Sequence, residues 1–395
     1  MNARAPLPGE AGLHFSSLPP LSLYVHLPWC VRKCPYCDFN SYEARGTLPD
    51  LDYVEALMRD LRGELPFVQG RSVETVFLGG GTPSLFSGAA IARLLAGLKA
   101  ELELAPHVEI TLEANPGAVD AARFGAFREA GVNRLSIGIQ SFRNEQLRAL
   151  GRVHDAAQAR TAVATARAAG FDNLNLDLMY ALPNDDVAGA VGDLEGALEL
   201  APAHISWYQL TLEPNTAFER RPPALPDDDV VRRIEERGRA LLAAHGYARY
   251  EISAYARPGR RCLHNLNYWQ FGDYLGLGAG AHGKITLRSA GEIARRAKTR
   301  NPRTYQQRAG ATDSVAQESV ARPEQAALEF LMNALRLVEG TSVEIFAARA
   351  GQPVSTLAAA RAAAVERGWL TSEPGVLRAT PSGIDRLNRL LELFA

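Results

Sequence analysis

From residue 22 the chain alternates short apolar runs with longer amphipathic ones. The short runs, 22–27, 75–78, 108–112, 134–139, 174–179 and 205–210, have the length and composition of strands. Between them, 51–65, 91–104, 118–130, 156–169 and 187–200 read as helices. In the first of these, Leu51, Val54, Leu57, Met58 and Leu61 fall close to helical spacing on one face. Pro49-Asp50 and Asn184-Asp185-Asp186 are plausible helix starts, and Gly131 and Gly170 plausible C-terminal caps. Six consecutive βα units predict a parallel sheet with its helices outside.

The polar residues choose between a doubly wound sheet and a barrel. A cysteine-rich loop follows the first strand and Gly79-Gly80-Gly81-Thr82-Pro83 the second. Glu113, Gln140, Asp177, and then Tyr208 with Gln209 stand at or near the ends of the next four. Polar groups recurring at the carboxyl ends of successive strands are the pattern of a β/α barrel's active rim. The expected core is therefore a partial barrel of six βα units over residues 21–240.

Past residue 240 the rhythm fades. The stretch 262–282 is dense in aromatics and glycine, and 301–318 is polar and reads as a linker, giving an extension over 241–320. Three helix-like segments follow, 326–338, 342–350 and 355–366, then a hairpin over 369–380 turning at Pro374-Gly375, then a helix over 387–393. This is the outline of a winged-helix-like α+β domain over 321–395.

Composition narrows the function classes. The formal charge of −1 provides no basic field for nucleic acid or a membrane surface. The arginine pairs at 232–233, 260–261 and 295–296 read as solvated faces, and the winged-helix-like segment as a packing or lid element without nucleic acid. Residues 1–20 contain no apolar signal-peptide core and read as a mobile tail, and nothing approaches the roughly 20 apolar residues of a membrane span. Four cysteines, three of them clustered, do not form a disulfide framework, so a reducing, cytoplasmic setting is expected.

Those three, Cys30, Cys34 and Cys37, form a C-x3-C-x2-C run. Three neighbouring thiolates can hold one inorganic centre, and they leave a four-iron cluster one ligand short, with an iron open for binding. Structural zinc, with His26 or Cys262 as a fourth ligand, is the alternative. Three successive glycines let a backbone approach a ligand closely and point amides at it, although a tight turn would use them as well.

The cysteine run, the glycine loop and the βα repeat together resemble the radical S-adenosylmethionine proteins. His26-Leu-Pro-Trp-Cys30, Cys34-Pro-Tyr-Cys-Asp-Phe-Asn-Ser41 and His264-Asn-Leu-Asn-Tyr-Trp269 more narrowly resemble the HemW-type haem chaperones, relatives of the oxygen-independent coproporphyrinogen III oxidases. The likeness runs from about residue 21 to the end of the chain. It implies a 4Fe-4S cluster on Cys30, Cys34 and Cys37, with S-adenosyl-L-methionine on the open iron. It implies Tyr24, Tyr36, Gly80, Gly81, Thr82, Glu113, Gln140, Arg152 and Asp177 around one or two molecules of that cofactor. Tyr36 would lie against the adenine, and the glycine loop would hold the amino group.

Two departures from the oxidases favour the chaperone branch. Phe39 stands where the oxidases have a further cysteine, and only about twenty residues precede the first strand. The expected function is then binding haem as cargo and transferring it to an acceptor, a respiratory haem protein for example. Any membrane contact would be peripheral and through that acceptor. The alternative is an oxidase-like enzyme using a 5′-deoxyadenosyl radical on coproporphyrinogen III. Candidate haem contacts are Cys262, His264, Tyr268 and Trp269, because imidazole and thiolate both ligate haem iron and aromatic rings can cover a porphyrin face. Which of His264 and Cys262 meets the iron, if either, the sequence leaves open; His282 is a further imidazole nearby.

Overall fold

The computed structural model describes residues 12–395. Its centre is a twelve-stranded sheet whose first six strands are parallel: β1 (Leu21–Leu27), β2 (Val73–Gly80), β3 (Leu104–Ala114), β4 (Arg134–Gln140), β5 (Leu174–Tyr180) and β6 (His204–Gln209). They neighbour one another in chain order, as short βα connections favour. All five expected helices are present between them: Asp50–Glu64, Gly88–Glu101, Ala121–Ala130, Ala156–Ala168 and Val187–Glu199. Asp120, Asp155 and Asp186 cap the last three through their side chains.

These strands are not apolar on both faces. Leu21, Leu23, Val25 and Leu27 of β1, Leu135, Ile137 and Ile139 of β4, and Leu174, Leu176 and Leu178 of β5 are buried in one core with the helices. The intervening residues point inward and are polar: Ser22, Tyr24 and His26, then Thr75, Glu109 and Glu113, Ser136 and Gln140, Asn175 and Asp177. Side chains alternate faces along a strand, so a period of two builds an apolar outer wall and a polar lumen. A parallel sheet buried on both faces normally reads as a continuous apolar run. Its departure from that rule marks a lumen built to receive something polar.

The curved sheet does not close. Beyond β6 it continues through β7 (Ala248–Arg249) and β8 (Ala254–Ala256). On the other side of β1 lie β9 (Asp273–Leu277), parallel to it, and then antiparallel β10 (His282–Leu287), β11 (Glu292–Lys298) and β12 (Val315–Val320). The expected linker 301–318 is instead structured. Helix Pro302–Arg308 buries Tyr305, whose hydroxyl donates to Asp60 at 2.7 Å, and β12 forms the sheet edge. Its polar composition reflects an edge strand exposed to solvent, which needs no apolar face. A long helix, Asp228–Ala244, also escaped the sequence pattern; only Ile234, Gly238 and Leu242 of it are buried.

The C-terminal domain has the expected outline. Helices Pro323–Ala334, Val343–Ala350 and Ala358–Glu366 are joined by a short pairing of Thr341–Ser342, which follows the first of them, with Val376–Leu377, and the hairpin is reduced to a bridge between Leu370 and Ala379. Its core is continuous with the extension: the Phe271 and Phe330 ring centroids lie 5.7 Å apart. Leu13 and Phe15 join that core, and Leu13 donates to Gly291 O at 3.1 Å. The mobile-tail expectation therefore fails for residues 12–20, and residues 1–11 lie outside those described. Each arginine pair has at least one carboxylate partner, Arg232 with Glu236, Arg261 with Glu339 and Arg296 with Glu64 and Glu318 among them. Among the described residues, no helix is long and apolar enough to cross a membrane.

Candidate functional site

A cavity of about 410 Å³ opens at the carboxyl ends of β1–β6, within the size range of ligand pockets. Cys30, Cys34, Tyr36, Cys37, Gly80, Gly81, Thr82, Glu113, Gln140, Arg152 and Asp177 all line it. The sequence-predicted cofactor set is thus gathered in one place, except Tyr24. Tyr24 lines a second cavity of about 600 Å³ that shares Asp38, Phe39, Gly80 and Glu113 with the first.

The cysteine loop is held from both sides. Trp29–Cys30 pairs with Tyr42–Glu43, and Trp29 packs edge-on against Tyr53, 4.8 Å between centroids. The glycine loop is stitched to it: Gly81 N donates to Leu27 O at 2.9 Å and Thr82 N to Trp29 O at 2.7 Å. A Cβ on Gly81 would lie 2.6–2.8 Å from the backbone of Leu27, Pro28 and Trp29, so this approach requires glycine. Gly80 has φ +108° and donates its amide to Glu113 Oε2 at 3.1 Å. All four cysteines are free thiols. Burial pushes the Cys30 and Cys37 thiols up in the metal-free chain, so the charge of a bound metal would have to deprotonate them.

The carboxylates opposite are short of cations. Burial, with Asp177 nearby, pushes Glu113 up to about 8. Burial also raises Asp177, against hydrogen bonds from Ser136 and Asn175 at 2.8 Å each. Arg152 reaches the site from the loop after β4, donating to Gly138 O at 2.7 Å and to Cys34 Sγ at 3.7 Å; its buried Nε has no partner. Tyr208 donates to Gln140 Oε1 at 2.8 Å. Two buried acids without a salt-bridge partner, though Arg134 partly offsets Asp177, an arginine with a spare N–H and an aromatic ring at Tyr36 suit a ligand carrying an ammonium, hydroxyls, a carboxylate and a flat base. That is the chemistry of S-adenosylmethionine beside a thiolate-bound cluster, so the residues fit both groups. The zinc alternative loses its fourth ligand. The His26 nitrogens are within hydrogen-bond distance of Tyr24 Oη and Asn40 O, and Cys262 lies at the other end of the lumen. Among the described residues, no three metal-ligating side chains surround a single ion position.

The haem-contact candidates are separated by the fold. Helix Leu263–Trp269 plugs the amino-terminal end of the lumen. Glu109 caps it, accepting from the Leu263 and His264 amides and standing 3.5 Å from Cys262 Sγ. Cys262 is completely buried and its thiol pushed up to about 12 by burial. His264 is 1% exposed, hydrogen-bonded to Thr75 at 2.7 Å and stacked on Phe77, and burial holds it down at about 3. Neither side chain has a face for a porphyrin, and this corrects the expectation for both. Trp269 turns towards the C-terminal domain, under Arg336. Tyr268, by contrast, lines the second cavity.

Ser136 and Met179 also line the first cavity and are absent from the residues the sequence pointed to, and Tyr208, placed at the rim by sequence, is absent only from the cofactor set. Their signal was the inward register of β4, β5 and β6, which alternation alone would have revealed.

An open parallel barrel with a cysteine-lined mouth is the architecture of a radical S-adenosylmethionine domain. Residues 24–193 match the Radical SAM superfamily, and residues 322–386 match the HemN C-terminal domain. Heme chaperone HemW of Escherichia coli K12 is 50% identical over 377 residues, covering 95% of this chain and 98% of that protein. Heme chaperone HemW of Haemophilus influenzae is 47% identical over 381 residues, with 95% and 98% covered. The chain belongs to the HemW family. Among solved structures, coproporphyrinogen III oxidase (HemN) from Escherichia coli, a radical SAM enzyme, superposes with a TM-score of 0.80 at 23% identity, over 95% of this chain and 90% of that one. At that identity the likeness establishes the fold.

Proposed function

We propose that this chain is a haem chaperone that binds haem, carries a 4Fe-4S cluster with S-adenosylmethionine, and passes haem to an acceptor protein in the cytoplasm. The observation that carries this reading is the pairing of two joined cavities, one thiol-lined and one aromatic. The full-length likeness to proteins named heme chaperones supports it.

In this reading Cys30, Cys34 and Cys37 hold the cluster. Arg152 orients Cys34 through its Nη1. The Gly80–Thr82 edge gives S-adenosylmethionine a close backbone approach. Glu113 and Asp177 receive its ammonium and ribose hydroxyls, and Tyr36 covers its base. Bound together, the two groups would supply one-electron chemistry beside these residues.

The second reading, a coproporphyrinogen oxidase, is favoured by the shared fold alone. Phe39, 57% exposed at the junction of the cavities, stands where the resemblance places a cysteine in oxidases. Anaerobic reconstitution, followed by haem titration and a porphyrinogen product assay on one sample, decides between them. Haem bound without vinyl formation or carbon dioxide release is expected. Stoichiometric decarboxylation, or no haem binding at all, overturns the chaperone reading.

A further inference from the structure

A haem needs three things from a protein: apolar or aromatic faces for the macrocycle, a base for the iron and cations for the propionates. The second cavity offers all three. Its volume of about 600 Å³ suits a ligand of this size. Tyr268 and Tyr274, edge-to-face at 4.5 Å, form one wall, and the exposed ring of Phe39 stands at the opening shared with the cysteine loop.

The base is found by accounting for the imidazoles. His26 and His282 are the two that line this cavity. His26 has Tyr24 Oη on Nδ1 at 3.0 Å and Asn40 O on Nε2 at 2.9 Å, so neither nitrogen is free. His264 is buried behind Phe77. The His282 ring is exposed and has no side-chain hydrogen bond among the described residues. It sits at the first position of β10, held in register opposite Ala297 of β11. A rigid strand fixes an iron ligand better than a loop does. Partial desolvation at the cavity wall and the charges of Arg300 and Arg295 lower its proton affinity, which keeps the imidazole in its neutral, metal-binding form at neutral pH.

The cation is Arg300. It lines the same cavity, is exposed and has no carboxylate partner among the described residues, unlike Arg295, which pairs with Glu329. Arg300 Nε makes one long contact, 3.4 Å to Asn40 Oδ1. Asn40 belongs to the loop that bears the three cysteines, and its amide donates at 2.9 Å to both Ala279 O and Arg300 O. The backbone on both sides of β10 and β11 is therefore tied to the cluster loop.

We propose that haem is bound in this second cavity with His282 as the axial iron ligand and Arg300 as the propionate partner. The imidazole lone pair donates to the iron, and no electron is transferred in the step. The inference rests on the haem-chaperone reading and deepens it.

The test uses full-length protein reconstituted anaerobically with its cluster and titrated with haem, read by absorption and electron paramagnetic resonance spectra. His282→Ala is expected to lose the low-spin, histidine-ligated signature, and added imidazole to restore it. Arg300→Ala is expected to keep the wild-type spectrum and bind haem about tenfold more weakly, as loss of one charge-assisted hydrogen bond predicts. Iron and sulfide content should be unchanged in both. If wild-type protein binds no haem, the chaperone reading itself fails. If wild type binds haem and His282→Ala retains its affinity and spectrum, only this assignment fails. A His282→Ala protein that loses the signature and does not recover with imidazole also overturns it, because a vacant ligand position would accept the free base.

Discussion

The contact between the glycine loop and the cysteine loop is the most exposed point of the structural reasoning, and Gly81→Ala tests it. The added methyl would meet Trp29 O at 2.6 Å, Leu27 O at 2.8 Å and Pro28 C at 2.8 Å. All three are backbone atoms of the segment that leads into Cys30, so no side chain can rotate away. The clash is relieved only if the loops separate. That stretches the Gly81–Leu27 and Thr82–Trp29 hydrogen bonds, each worth about 1 kcal/mol net. With overpacking strain of roughly 1–3 kcal/mol, the expected loss is about 2–4 kcal/mol. Gly125→Ala is the internal control: it lies within helix Ala121–Ala130 and its Cβ meets nothing within 4 Å. That change should stabilise by up to about 1 kcal/mol. Denaturant unfolding of the cluster-free protein reads the stability, and iron and sulfide content after anaerobic reconstitution reads the site. Gly81→Ala should unfold earlier and hold substoichiometric cluster. If it unfolds with the wild type and holds a full cluster, the stitching of the two loops is not what shapes the site.

Three further outcomes follow from the same geometry. Alanine at Cys30, Cys34 or Cys37 should abolish cluster iron with little change in the stability of the cluster-free fold, since all three are only partly buried; retention of full iron in any of them refutes the ligand set. Glu113 stays protonated in the folded chain up to about 8, while the unfolded chain ionises near its ordinary value of 4.5. Wild-type stability should therefore fall as pH rises between those values, by at most roughly 4–5 kcal/mol and less because water enters the cavity. Glu113→Gln should flatten that slope in equilibrium unfolding at several pH values, and an unchanged slope excludes Glu113 as its source. Lys298 Nζ lies 2.5 Å from both Asp60 Oδ1 and Glu64 Oε1, all three nearly buried. Lys298→Met leaves Asp60 without a cation, while Glu64 keeps Arg296, and should cost about 3–5 kcal/mol at neutral pH. Its denaturant midpoint should recover partly in acid as the acids protonate, and a wild-type midpoint throughout would show the pair to be neutralised by other groups.

The six barrel strands and their helices were readable because each outer-face run of leucine, isoleucine and valine is local, and so are the aspartates that cap the helices. The cysteine run was readable for the same reason, since three ligands within eight residues need no fold to bring them together. Edge strand β12 was read as linker because an exposed strand carries no apolar period. The buried network of Asp60, Glu64, Lys298 and Tyr305 joins residues more than two hundred positions apart, and no local pattern announces it.

The same division runs through the candidate site. Residue identity and local period determined that a thiol centre sits at the rim of a parallel barrel, because ligand spacing and strand-end position are properties of short segments. Tertiary structure alone decided which histidine meets the space beside that centre. His264 and His282 are both plausible as letters, yet one is sealed behind Phe77 in the amino-terminal plug and the other opens on a cavity. Exposure of a side chain is set by what packs over it from distant parts of the chain, and that information exists only once the sheet, the plug helix and the cysteine loop have come together.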